Sequence, residues 1–70
     1  MEYSFKKGFS QVKNKDIRTV RQQIMDTLGI TTRAGFHLRL TGNIEPRVSE
    51  AEKIAEVFAR YGIHDIWGEE

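Results

Sequence analysis

One short segment of this 70-residue chain combines cationic, hydroxyl and small side chains: Thr32, Arg33, Ala34 and Gly35 are consecutive. An arginine guanidinium can donate two hydrogen bonds to a guanine edge, worth about 1–3 kcal/mol of discrimination between bases. A threonine hydroxyl can hydrogen-bond a phosphate or a base, and alanine and glycine allow a helix to approach base edges closely. The segment therefore has the side chains of a surface that contacts nucleic acid.

Several of these side chains have plainer interpretations, and the sequence leaves them open. Arg33 and Arg39 are DNA contacts, solvated arginines, or local partners of Asp26. Thr32 contacts DNA, caps a helix, or does both, since its side chain can cap while its backbone N–H faces a phosphate. Leu38 either meets a thymine methyl group or packs on a neighbour. We favour DNA contact for both arginines, with base contact more for Arg33.

The two halves of the sequence carry opposite charge. Residues 1–41 contain eight lysines and arginines against three acidic residues, a balance of +5, and residues 42–70 contain three against seven, a balance of −4. This asymmetry favours a polyanion on one side of the molecule, although small domains often have patchy surfaces. The candidate phosphate contacts are Lys13, Lys15, Arg18, Arg21, Gln22, His37, Arg39 and Asn43.

Other chemistry has little support in the residue types. The chain has no cysteine, which excludes disulfides and thiolate metal sites, and two isolated histidines, His37 and His64, do not suggest zinc. There is no glycine-rich loop that would cradle a phosphate. We therefore expect no enzyme activity, no metal and no cofactor. Neither a membrane-spanning run nor a signal peptide is recognisable, so we expect a soluble, cytoplasmic protein with no membrane partner.

The candidate contacts fall on two predicted helices joined by a short corner. Apolar residues recur at helical spacing from Ile17 to Leu28 and predict the first helix, with the carboxylate of Asp16 as its N-cap. Gly29 and Ile30 predict a Schellman ending, in which a left-handed glycine precedes an apolar residue that packs back on the helix.

The second predicted helix carries the candidate base contacts. It runs from Thr32 to about Thr41 after a corner at residues 29–31, with either Thr31 or Thr32 as its cap. Phe36 and Leu40 set its buried side. Two helices joined by so short a turn form a helix-turn-helix, and in DNA-binding versions the second helix enters the major groove.

The segments on either side are predicted to complete a small core. Phe5, Phe9 and Val12 have helical spacing, so residues 4–12 form either a first helix or an ordered arm whose phenylalanines fill the core. Gly8 would cost about 1 kcal/mol relative to alanine inside such a helix.

A last long helix is predicted from the Ser-x-x-Glu capping box at Ser49 and Glu52. Its ending at Gly62 repeats the ending at Gly29. After it, the segment 66–67, which is Ile-Trp, is expected to fold back as a lid on the core.

The sequence resembles the Cro and phage-repressor group of helix-turn-helix proteins, in particular short regulators of prophage or mobile-element type. The resemblance covers about residues 16–67 and rests on residues 20–36, 40–43 and 54–62. It implies an all-α, lambda-repressor-like fold with a compact bundle of four or five helices. We expect a single domain over residues 1–70, with loose ends at residues 1–3 and 68–70.

The resemblance also implies roles for particular residues. The start of its recognition helix, where family members reach base edges, corresponds here to Thr32, Arg33, Ala34 and Gly35. The phosphate-contacting end of the preceding helix corresponds to Arg18, Arg21 and Gln22. Two departures are visible, because Met25 stands where the family usually has alanine and the buried residues of the second helix are four apart rather than three. Together they would rotate that helix.

These features predict a sequence-specific regulator that binds double-stranded DNA by inserting residues 32–41 into the major groove. One module makes few base contacts, so we expect a homodimer on a two-fold operator. Residues that would contribute to pairing if exposed are Leu38, Ile63, Ile66 and Trp67. The alternative is a small helical protein-interaction module without DNA binding, since fold does not fix function.

Overall fold

Four α-helices and one short 3₁₀ turn make up residues 4–68, the part of the chain described by this computed structural model. The helices are α1 (Lys6–Ser10), α2 (Ile17–Leu28), α3 (Arg33–Leu40) and α4 (Val48–Ala59), and the 3₁₀ turn Asn14–Asp16 leads directly into α2. No strand occurs within residues 4–68. The predictions of an all-α fold and of a compact domain with four or five helices are confirmed, with four α-helices in the described residues.

The amino-terminal segment is both a short helix and an aromatic plug. α1 has only five residues rather than the whole of residues 4–12. Phe5 precedes α1 and is 1% exposed. Its ring makes edge contacts with Phe36 of α3, Phe58 of α4 and Trp67 of the tail, at centroid separations of 5.8, 6.2 and 6.3 Å. Three separate parts of the chain therefore meet at one ring.

Hydrogen bonds hold the amino-terminal segment between the end of α3 and the tail. The Phe5 N–H and the Ser4 hydroxyl both donate to the Leu40 carbonyl, at 3.1 and 2.8 Å. On the other side, the Gly68 N–H donates to the Ser4 carbonyl at 2.7 Å. Gly68, which the sequence predicts to be loose, is thus held in place. The other ends predicted to be loose, residues 1–3 and 69–70, lie outside the described residues.

α2 has the predicted bounds, but its first turn is stabilised differently. Asp16 occupies the N-cap position without a cap hydrogen bond from its carboxylate, because the chain enters α2 through the 3₁₀ turn. Gly29 has a φ of 72°, and the Ile30 N–H donates to the Met25 carbonyl at 2.8 Å. These are the left-handed residue and the long hydrogen bond of the predicted Schellman ending.

The same ending follows α4 and starts the tail. Gly62 has a φ of 76°, and the Ile63 N–H donates to the Phe58 carbonyl at 3.1 Å. The tail then folds back as predicted, with Ile66 4% exposed and Trp67 partly buried against the core.

α4 begins earlier than the sequence predicts. The capping box at Ser49 and Glu52 is wrong, because the helix starts at Val48 and Glu50 is its third residue. The Glu50 carboxylate accepts a hydrogen bond from the Arg47 N–H at 2.9 Å. A carboxylate at this place is also favoured by the partial positive charge of a helix start.

Gly8 lies where the tail crosses α1. Its N–H donates to the Ile66 carbonyl at 2.9 Å, and a Cβ on Gly8 would lie 3.0 Å from both Cα and Cγ2 of Ile66. We expect Gly8→Ala to destabilise the protein by about 1–3 kcal/mol, because the tail backbone would have to move away. The measurement is urea unfolding, with Thr19→Ala on the exposed side of α2 as the control.

Helix propensity alone would make Gly8→Ala stabilising, because alanine is favoured over glycine in a helix by about 1 kcal/mol. Thr19→Ala should therefore leave stability unchanged or raise it. A Gly8→Ala protein as stable as the unmodified one would show that the tail does not pack this closely.

Candidate nucleic-acid interface

Four residues, 29–32, join α2 to α3 and set where α3 begins. The Thr32 hydroxyl accepts a hydrogen bond from the Gly35 N–H at 3.0 Å, so Thr32 is the N-cap and Arg33 the first helical residue. A Cβ on Gly35 would lie 3.1 Å from Cγ2 of Ile30. Gly35 is therefore half-enclosed by the corner, whereas the sequence predicts that it reaches base edges.

The outward face of α3 carries cationic, small and apolar side chains together. Arg33, Ala34, His37 and Leu38 are exposed, Leu38 to 41%, while Phe36 is 4% exposed on the opposite side. The side chains of Arg33 and His37 form no hydrogen bond or ion pair with any of residues 4–68. Their donors are available to a ligand.

α3 also forms one wall of a groove that no sequence pattern predicted. The groove has a volume of about 600 Å³ and brings Phe9 of α1 and Arg21 of α2 next to α3. We call it the α1–α3 groove; its lining residues are Phe9, Arg21, Arg33, Ala34, Phe36, His37, Leu38 and Leu40. From the sequence, Phe9 was predicted to fill the core. It also lines the groove, because α1 packs on α3 with the rings of Phe9 and Phe36 5.5 Å apart.

Two of the predicted phosphate contacts lie in a different place. Lys13 and Lys15 line a second groove, of about 280 Å³, with Arg60 and Tyr61 from the end of α4. Neither lysine lines the α1–α3 groove. Arg60 was not among the predicted contacts, because it lies far from Lys13 and Lys15 in the sequence and only the fold brings it to the same groove.

The other predicted phosphate contacts differ in whether their side chains already form hydrogen bonds within the protein. Arg18 is exposed and forms no side-chain hydrogen bond or ion pair within residues 4–68. The Gln22 amide donates to the Asp26 carboxylate at 2.8 Å. Asn43 has an exposed side chain, and its N–H donates to the Leu38 carbonyl at 3.0 Å, which closes the end of α3.

Arg39 is held by a partner on α4. Its Nη1 lies 3.0 Å from Oε1 of Glu50, and each of the two side chains is 22% exposed. The local partner considered from the sequence, Asp26, is instead bonded to Gln22. A guanidinium has five N–H donors, so Arg39 keeps donors for a ligand while Glu50 fixes its position.

The Glu50 carboxylate is stabilised in its charged form. The hydrogen bond from the Arg47 N–H is the main cause that lowers the pKa of Glu50 below its ordinary value of 4.5, and the Arg39 guanidinium lowers it further, while burial opposes both. One carboxylate thus caps α4 and ties α3 to it.

Glu50 makes the stability of the fold depend on pH. Its pKa is lower in the folded than in the unfolded state, so its stabilising contribution is present above about pH 4.5 and is lost as the pH falls below that value. Glu50→Gln keeps an acceptor oxygen and removes the charge, so we expect it to lower the free energy of unfolding at pH 7 by about 1 kcal/mol.

The measurement is urea unfolding between pH 7 and the acid range. Glu50→Gln should flatten the acid loss of stability, whereas Glu52→Gln, at an exposed position on the same helix, should not. An identical pH profile for the two variants would contradict this account of Glu50.

Within residues 4–68, no three histidine, aspartate or glutamate side chains lie together in a way that would hold a metal ion. None of the helices described here combines the length and apolar character needed to cross a bilayer.

No protein-family model, no curated protein and no solved structure matches the chain significantly.

Proposed function

We propose that this chain is a sequence-specific regulator that binds double-stranded DNA by inserting α3 into the major groove. The observation that carries the proposal is the outward face of α3, where Arg33 and His37 are unpaired within the described residues and the exposed residue beside them, Ala34, is small. The major groove has the width of an α-helix, and its base edges present acceptors to an arginine.

The anchoring of α3 supports this mode of binding. Its inner side is fixed by Phe36, and its two ends by the Thr32 cap and by the hydrogen bonds to the Leu40 carbonyl. A helix held at both ends presents its outer face rigidly, which base readout requires. In this arrangement Arg33, Ala34 and Leu38 are the leading base contacts, Thr32 contacts a base or a phosphate, and Gly35 acts by letting α3 pack closely on the corner.

Cations on both sides of the outward face suit the two backbones that border a major groove. At about 100° per residue, Arg33 and Arg39 lie on opposite sides of the line through Ala34 and Leu38. Arg21 extends the Arg33 side across the α1–α3 groove. Half or more of the hydrogen bonds in protein–DNA complexes go to phosphate and sugar, so Arg21 and Arg39 would set the register of α3 on the two backbones while Arg33 contacts a base.

A homodimer remains part of the proposal, because one module reads few base pairs. Ile63 and Ile66 do not contribute to a pairing surface, since they are 7% and 4% exposed. The large apolar side chains that are exposed within residues 4–68 are Leu38, Ile44 and Val48, at 41%, 40% and 79%. Ile44 and Val48 lie off α3 and are free to pair while α3 binds DNA.

Binding to mixed-sequence duplex DNA over a salt series is the first test. We expect log K to fall linearly with log salt, and Arg18→Ala and Arg21→Ala to reduce the slope by about one each, because each removes one phosphate contact. Lys53→Ala, which removes an exposed cation from α4, is the control and should leave the slope unchanged. Binding that is absent at low salt, or independent of salt, would contradict DNA binding and favour the protein-interaction alternative.

Selection of bound duplexes from a random pool supplies the operator for the second test. Arg33→Ala should weaken operator binding by about 1–3 kcal/mol and binding to random DNA by less, since a base contact is lost. Arg21→Ala, the loss of a phosphate contact, should weaken both by the same amount. Equal losses for Arg33→Ala on operator and random DNA would remove Arg33 from base readout.

A further inference from the structure

The α1–α3 groove has an apolar floor that duplex DNA does not explain. Phe9, Phe36 and Leu40 form the floor, and the exposed side chain of Leu38 stands beside it. The major groove offers an apolar partner only where a thymine methyl group projects. A duplex bound to the outermost side chains of α3 would therefore leave most of this floor uncovered.

The edge of the same groove is cationic. Arg21, Arg33 and His37 line it, and none of these side chains has a hydrogen bond or ion pair within residues 4–68. A ligand that fills the groove must bring apolar groups for the floor and negative charge for the edge. An amphipathic helix does this when apolar residues at i, i+3, i+4 and i+7 form one stripe and acidic residues flank it.

The fold offers little to an extended peptide. Peptides in extended conformation are bound mainly by adding a strand to an exposed sheet edge. No strand is present among residues 4–68, so no such edge exists there. Docking of a helix in the groove is the remaining mode that uses both the floor and the charged edge.

A second copy of this chain does not supply the required helix. α4 is acidic on its exposed side, with Glu52 and Glu56, but its apolar residues Ile54, Val57 and Phe58 are each 1% exposed or less in its own core. The carboxylates of α4 would reach the edge of the groove and leave the floor empty.

We propose that the α1–α3 groove is a docking site for an acidic, amphipathic helix of a partner protein. The apolar stripe of that helix packs on Phe9, Phe36 and Leu38, and its carboxylates pair with Arg21 and Arg33. Because Arg33 and Leu38 also belong to the DNA-contacting face, the partner helix and a duplex exclude one another. This mutual exclusion rests on the proposed DNA-binding function, whereas docking of the helix does not.

The test begins with a displayed library of helix-forming peptides of random polarity, selected on the full chain. We expect enrichment of acidic peptides with apolar residues at helical spacing. For a synthesised binder, Leu38→Glu should weaken the affinity about tenfold or more, as expected at the centre of a contact. The matched control is Ala59→Glu, which places the same charge at an exposed position of α4 outside the groove and should leave the affinity unchanged.

Two outcomes would overturn docking in this groove: a selection that enriches no peptide over the empty support, or binders that respond equally to Leu38→Glu and Ala59→Glu. Neither measurement contains DNA, so failure of the regulator proposal leaves them unaffected. Mutual exclusion of the partner helix and the duplex is tested by adding a peptide binder to a preformed complex of the protein with labelled duplex. Release of the duplex supports it, and a stable ternary complex overturns it while leaving both binding activities intact.

Discussion

The packing of one phenylalanine ring determines much of this structure. Phe5 touches α3, α4 and the tail, and its N–H shares the Leu40 carbonyl with the hydroxyl of Ser4. A chain of 70 residues buries only about 60% of its unfolded surface. In so small a core, few other side chains join three elements as the Phe5 ring does. The position of α3 relative to the rest of the molecule therefore depends on the segment that precedes α1.

The short length of α1 explains why α3 has a usable surface on two sides. α1 ends at Ser10, so it covers Phe36 with one ring, that of Phe9, and leaves the neighbouring part of α3 open. The outward face of α3 then carries unpaired cations, and the open side becomes the α1–α3 groove. The two proposed ligands, duplex DNA and an acidic helix, use overlapping parts of one surface, since Arg33 and Leu38 belong to both.

Electrostatics connects α3 to α4 at a single carboxylate. Glu50 accepts from the Arg47 N–H and from Arg39, so the cap of α4 and the position of an α3 arginine are fixed together. The acidic half of the chain thus has a structural use for Glu50, and its Asp65 pairs with Lys7 at 2.9 Å. Its other acidic residues in the described part, Glu45, Glu52 and Glu56, are exposed. Arg21 and Arg33, by contrast, have no such partner there and remain free for an external anion.

The sequence by itself determined the features that depend on neighbours along the chain. The bounds of α2, the glycine endings at Gly29 and Gly62 and the Thr32 cap were all predictable, because helical spacing and capping hydrogen bonds act over a few residues. Only the tertiary structure decided that Gly35 turns toward the corner and that Arg39 pairs with Glu50. It also decided that Lys13 and Lys15 meet Arg60, that α4 starts at Val48 and that Phe9 borders a groove. The Arg39–Glu50 pair, the approach of Arg60 to the two lysines and the groove at Phe9 depend on contacts between residues far apart in the chain, which no local pattern encodes. The Gly35 contacts and the cap of α4 involve near neighbours, where the structure selected one of several competing local patterns.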